Sequence, residues 1–202
     1  MTRKEQKEER RQKILMTALT LFVDRGYHET KITDIAAAVP MSTGLMFHYF
    51  ESKEELLLEL VKMGAASTKA ASGYGGAGGE GNADVEKMAQ IPPHIYLEKF
   101  LGQLFSYAKE QPWVFNMFIL MGQARRKGMP EEARQIALSV DAIDSTALMI
   151  KKGQKDGAFR EGDAKLLSKC LWSSVQGIME EMAMDKEMET PDPKWIMSII
   201  LK

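Results

Sequence analysis

Residues 32–57 read ITDIAAAVPMSTGLMFHYFESKEELL, and this stretch decides how the rest of the chain is organised. Ile35, Ala36, Val39, Leu45, Met46, Tyr49 and Phe50 recur at helical spacings, but the phase breaks at Pro40. Proline has no backbone N–H and crowds the preceding turn, so a helix ends there. Ser42 stands at an N-cap position ahead of a second short apolar-periodic run. Two short helices joined by a tight turn make a helix-turn-helix, and the small Ala36 suits the point where they cross. Ser52, with Glu55 three residues on, has the pattern of a capping box opening a third helix. Lys53 holds the first position of that helix, where a cation opposes the helix dipole. A nearby phosphate would account for it, because helix N-termini favour anions.

Gly26-Tyr27 with Thr30, Asp34-Ile35-Ala36, Ser42-Thr43-Gly44, Phe47-His48-Tyr49-Phe50 and Ser52-Lys53-Glu54-Glu55-Leu56 stand in one order at one spacing. Together they resemble the DNA-binding domain of the tetracycline-repressor (TetR) family, from about Ile14 to Leu60. The resemblance implies an all-α chain with a three-helix DNA-binding domain over 1–52 and a helical ligand-binding and dimerisation domain over 53–202. It implies that Thr43, Gly44, Leu45 and Phe47, on a recognition helix from about Thr43 to Tyr49, meet the major groove, and that Lys53 meets a phosphate. His48 either touches a phosphate or rests on the surface, and Tyr49 and Phe50 read as core. The family usually has glycine where this chain has Pro40. Proline does not reach the positive φ that glycine supplies, so a differently built turn is expected.

Composition narrows the remaining classes. At 202 residues and 45% hydrophobic, the chain suits one large or two small globular domains. Its net charge of -1 carries no overall basic signal, so a DNA binder must localise its cations. Cys170 is the sole cysteine, which rules out an intrachain disulfide and fits a reducing cytoplasm. No early apolar run suggests a leader, and none approaches membrane-spanning length. The expectation is a soluble cytoplasmic protein with no membrane partner and no cofactor.

Residues 2–13, TRKEQKEERRQK, read either as a solvated helix start or as an arm reaching DNA. Ile14, Leu15, Ala18, Leu19 and Phe22 then form one helix face, ended by Gly26. A long helix follows from Ser52 to about Ser72. Gly73-x-Gly75-x-x-Gly78 formally matches a dinucleotide fingerprint but lacks the strand that must precede it. The segment 73–90 is expected to be a flexible glycine-rich loop.

Helices are next expected from Pro93 to before Pro112, from Trp113 onward, and from Pro130 through Ile150 as one continuous element. The run 95–121 is rich in aromatic and Met side chains, which suits an ordinary core or a cavity for a hydrophobic effector. Tyr96, Phe100, Phe118 and Met121 are candidate lining residues, with Tyr107, Gln123 and Asp144 as polar anchors. Few basic residues precede Arg125, so an uncharged or cationic effector fits better than a phosphorylated one. Asp163 caps a helix with the stripe Leu171, Ser174, Ile178 and Met182, and a short helix with Trp195 and Ile199 ends the chain. Such stripes are ordinary core. The family resemblance implies instead a two-fold four-helix dimer interface, with these six residues as candidates.

His28, His48 and His94 are scattered, no ligand spacing links them to Cys170, and no nucleophile–base motif is present, so an enzyme is not expected. The sequence reads as a homodimeric transcriptional regulator, released from a near-palindromic double-stranded operator by a small hydrophobic molecule. The competing reading is a helical partner-binding or scaffold protein that uses the same helix-turn-helix only for packing.

Overall fold

Local signals account for most helix ends in the computed structural model of the chain, which describes residues 2–71, 91–140 and 142–202. The segment read as a glycine-rich loop over 73–90 lies outside the described residues. Among the described residues the order is α1 (Arg3–Arg25), α2 (Ile32–Ala38), α3 (Thr43–Met46), α4 (Lys53–Ala71), α5 (Pro93–Glu110), α6 (Trp113–Ala124), α7 (Glu131–Ser139), α8 (Ala142–Lys155), α9 (Ala164–Met184) and α10 (Pro193–Met197). The fold is all-α. The extended pairing among these residues is one isolated antiparallel bridge, Phe159 to Leu201.

The charged run at the start is helical. The Thr2 hydroxyl accepts from the Glu5 N–H at 3.2 Å, and the Glu5 carboxylate accepts from the Thr2 N–H at 2.7 Å. This reciprocal box satisfies two amides that a helix start leaves unpaired. Arg11 is tied down: its guanidinium pairs with Glu59 and lies 4.8 Å from the centroid of the Phe50 ring.

Two compact units divide the chain. One comprises Met1–Ala65 with Asn116–Ser139, the other Ala66–Phe115 with Val140–Lys202, so α4 and α6 contribute residues to both. In the first unit α1 packs on α2 and α2 on α3. Ile14, Leu19, Phe22, Ile35, Met46 and Phe50 are fully buried there. In the second unit α8 lies along α9, α5 against α8, and α10 against α5 and α9.

Two expectations for this second half change. The helix expected from Pro130 through Ile150 is split between α7 and α8. At the break the Ser139 hydroxyl donates to the Ile136 carbonyl at 2.8 Å, giving the backbone a partner other than the next helical amide. Just past the end of α8, Gly157 takes φ 75°. Gly153 serves a close approach instead, since a Cβ there would lie 2.4 Å from the Phe159 ring. Asp163 does cap α9, its carboxylate accepting from the Leu166 N–H at 2.8 Å. The buried stripe of α9 is Ala164, Ser168, Leu171, Val175, Met179 and Met182.

The turn between α2 and α3 keeps the conformation that glycine favours, contrary to the expectation of a different build. Pro40 lies at φ 26°. The Met41 N–H donates to the Ala36 carbonyl at 3.0 Å, which is the outer bond of a Schellman helix end. The inner bond of that motif requires an N–H at position 40, and proline has none. The chain therefore makes the glycine turn with one bond missing and the ring held far from its preferred φ of about −65°. Pro40→Gly should raise the free energy of unfolding by about 1 kcal/mol, the relief of backbone strain exceeding the added entropy of the unfolded chain. Urea denaturation measures this, and an unchanged or lower midpoint would show that the ring bears no strain.

Candidate functional site

The region around α3 starts from its cap. The Ser42 hydroxyl accepts from the Leu45 N–H at 3.2 Å. Past Met46 the bonds shorten their reach: the His48 N–H donates to the Leu45 carbonyl at 3.1 Å and the Tyr49 N–H to the Met46 carbonyl at 2.9 Å. These are 3₁₀-type bonds, so the recognition helix ends as tight turns instead of running to Tyr49 as regular α-helix. Met46 and Phe50 anchor the segment inward, at 0% and 1% exposure. Gly44, Leu45, Phe47 and His48 are exposed, and Thr43 is half-buried.

Lys53 finds its acceptors within the protein. Its ammonium donates to the carbonyls of Tyr27 at 2.7 Å, Thr30 at 2.8 Å and His28 at 3.3 Å, and lies 4.4 Å from the Tyr27 ring centroid. An ammonium has three N–H donors, and all three are used. Carbonyl oxygens of Tyr27, His28 and Thr30 are thus the acceptors of the ammonium that the family resemblance assigned to a phosphate. Partial burial lowers the pKa of Lys53, with Glu29 acting in the opposite sense. Burial raises that of Tyr27, with Glu54 adding to it. Below Lys53, the buried Thr30 hydroxyl lies 2.8 Å from the Gly26 carbonyl and 3.1 Å from that of Leu21. The capping box at the start of α4 is half formed. The Ser52 hydroxyl accepts from the Glu55 N–H, but the Glu55 carboxylate turns to the Glu51 N–H.

The second unit contains a cavity of about 40 Å³ walled by Tyr96, Leu97, Phe100, Met149 and Trp172, with the hydroxyl residues Thr68, Ser145 and Thr146. Phe100 meets Tyr96 in a stacked pair and Trp172 edge-on. The Trp172 indole N–H donates to the Thr146 hydroxyl at 3.0 Å. Among the described residues no charged side chain lines the space. Of the candidate ligand residues, Tyr96 and Phe100 face it, while Tyr107 is exposed and Asp144 is paired with Lys165 at 2.6 Å. Phe118, Met121 and Gln123 belong to the other unit, each half-buried. Sequence reading missed Thr68, Thr146, Met149 and Trp172, which come from three separate helices and carry no local signal.

The candidate dimer residues divide by depth. Leu171 and Met182 are buried in the inner stripe of α9, Ser174, Ile178 and Ile199 are half-buried, and Trp195 is 71% exposed. Among the described residues no cluster of His, Cys, Asp and Glu could hold a metal ion, and no helix is long and apolar enough to cross a membrane.

Residues 14–60 match the family described as bacterial regulatory proteins, tetR family. Over residues 14–60 the sequence is of the TetR type. Over 55 residues it is 42% identical to the HTH-type transcriptional regulator HbdR of Aromatoleum sp. (strain CIB), covering 27% of this chain and 24% of that protein. Over 53 residues it is 38% identical to the HTH-type transcriptional repressor KstR2 of Mycolicibacterium smegmatis, covering 26% of each. The chain thus spans about a quarter of the length of the curated relatives it matches. At the level of fold the likeness is longer. The crystal structure of AibR in complex with isovaleryl coenzyme A and operator DNA aligns over 94% of both chains, with a TM-score of 0.67 at 18% identity.

Lys53→Met, within the TetR-type segment, keeps an apolar stem beside Tyr27 but removes every donor. Bonds from a charged donor to carbonyls contribute on the order of 1–3 kcal/mol in total once competition with water is counted. Thermal and urea unfolding should show a loss in that range. Wild-type stability in the variant would mean that the three carbonyl contacts hold nothing.

Proposed function

We propose that the chain is a transcriptional regulator that binds a near-palindromic DNA operator as a homodimer and leaves it when a small hydrophobic molecule binds. The observation that carries this reading is the surface made by Thr43, Gly44, Leu45, Phe47 and His48, presented by a helix-turn-helix inside the family match. DNA recognition falls to residues 1–52, and ligand binding and dimerisation to 53–202. Regulation is by repression, as for the similar transcriptional repressor KstR2. A cytoplasmic location follows from the role, and no enzymatic step is involved.

The homodimer would form on the outward side of α9 with α10, through Ser174, Ile178, Trp195 and Ile199, with Leu171 and Met182 supporting that face from within. The effector would enter at the Tyr96–Phe100–Trp172 cavity. At about 40 Å³ it is far below the roughly 300 Å³ or more of a typical ligand site, so binding must enlarge it. The Trp172–Thr146 bond and the flexible Met149 are the parts that give way most readily. Their uncharged surroundings favour an uncharged apolar molecule over the cationic one also weighed from the sequence.

Purified protein should enrich a common, near-palindromic sequence from a random duplex library and bind it as a dimer, with affinity falling steeply as salt rises. Failure to enrich any sequence would favour the scaffold reading. Lys53→Met should weaken binding at every salt concentration while leaving the salt slope unchanged, because no phosphate contact is lost; a slope reduced by about one contact would restore the phosphate role.

Uncharged apolar compounds should raise the melting temperature and weaken operator binding by the same factor by which operator weakens theirs. Carboxylates and phosphates of similar size should do neither. Stabilisation without any change in operator affinity would keep the cavity and remove the effector role.

A further inference from the structure

We propose that this chain reads its operator through thymine methyl groups, with Leu45 and Phe47 as the side chains that determine specificity. The inference rests on the DNA-binding reading above and names the base chemistry of the same site.

The segment Met41–Phe50 contains no Arg, Lys, Asn, Gln, Asp or Glu. Those are the side chains that read guanine, adenine or cytosine edges through hydrogen bonds in the major groove. The Ser42 hydroxyl is already engaged as the cap of α3. What the segment does offer is apolar. Phe47 is 50% exposed and Leu45 36%, while the inward anchoring is done by the neighbouring Met46 and Phe50. Two large apolar side chains held in water on one short element gain by covering a partner's apolar surface. Within the major groove the apolar feature of a base edge is the C5-methyl group of thymine. Gly44 favours the approach: a Cβ there would meet nothing within 4 Å, and without one the backbone can come close to a base edge. Thr43 and His48 add polar reach at the two ends of the apolar pair.

The experiment changes the DNA, so it does not depend on a variant folding. The full chain first enriches its site from a random duplex library. That site is then synthesised with uracil in place of thymine, position by position and throughout. Uracil keeps the pairing and the groove hydrogen-bond groups and lacks only the methyl. Each contacted methyl should be worth about fourfold in affinity, and full replacement roughly tenfold or more. The salt dependence should not move, because phosphate contacts are untouched. Leu45→Ala and Phe47→Ala should each bind thymine and uracil alike at the position that residue reads. An enriched site bound equally well with uracil overturns the inference while leaving the DNA-binding reading in place. So does a uracil penalty fully retained in both variants, which would assign the methyl contacts to other residues. A library that yields no common sequence overturns the DNA-binding reading and this inference with it.

Discussion

The backbone carbonyls between Gly26 and Thr30 need donors, and two side chains supply them. Thr30 reaches back to Leu21 and Gly26, and Lys53 reaches across to Tyr27, His28 and Thr30. Between these two attachment points lies the whole of α2 and α3. One ammonium therefore holds both ends of the helix-turn-helix, joining the exit of α1 to the first residue of α4. A lysine does this well because its three donors can turn to three oxygens that share no plane. The helix dipole at the start of α4 disfavours the charge, and the converging carbonyls offset that cost.

This arrangement keeps the residues that hold the helix-turn-helix apart from those it exposes. Two cations of this unit are engaged internally: Lys53 with carbonyls, Arg11 with Glu59 and the Phe50 ring. The segment from Thr43 to His48 is left without a fixed charge and with its apolar side chains outward. A net charge of -1 for the chain is compatible with DNA binding when phosphate attraction comes from exposed cations elsewhere, such as those on the first turns of α1. The second unit shows the opposite economy of space. Gly153 lets the Phe159 ring pack against α8, and the Trp172–Thr146 bond holds together the wall of a cavity too small for a drug-sized molecule. A site closed in this way binds only by shifting to a more open state, and the affinity it shows is reduced by the population of that state.

Much of this was legible in the order of residues. Helix starts at Ser42, Pro93, Glu131 and Asp163 follow from caps and prolines that act on amides a few bonds away. The helix-turn-helix and its outward residues follow from periodicity interrupted at Pro40. All these signals are local, and local signals survive in a one-dimensional reading. The family likeness is local as well, confined to residues 14–60.

Other features exist only in three dimensions. The acceptors of Lys53 lie 23 to 26 residues away in the chain, and no spacing rule points to them. The stripe of α9 could be drawn through Ser174 and Ile178 or through Val175 and Met179. Packing against α8 and α10 places the second pair inward, because a helix of mixed apolar faces takes its phase from its neighbours. The cavity walls gather α4, α5, α8 and α9 residues that are individually unremarkable. Sequence by itself determined where most helices begin, where the turn before α3 falls and which residues that turn presents, since each depends on the nearest few peptide groups; how Pro40 makes the turn appeared only in three dimensions. Tertiary structure decided what Lys53 holds, which face of α9 is core and where a ligand could enter, since each depends on atoms brought together from distant parts of the chain.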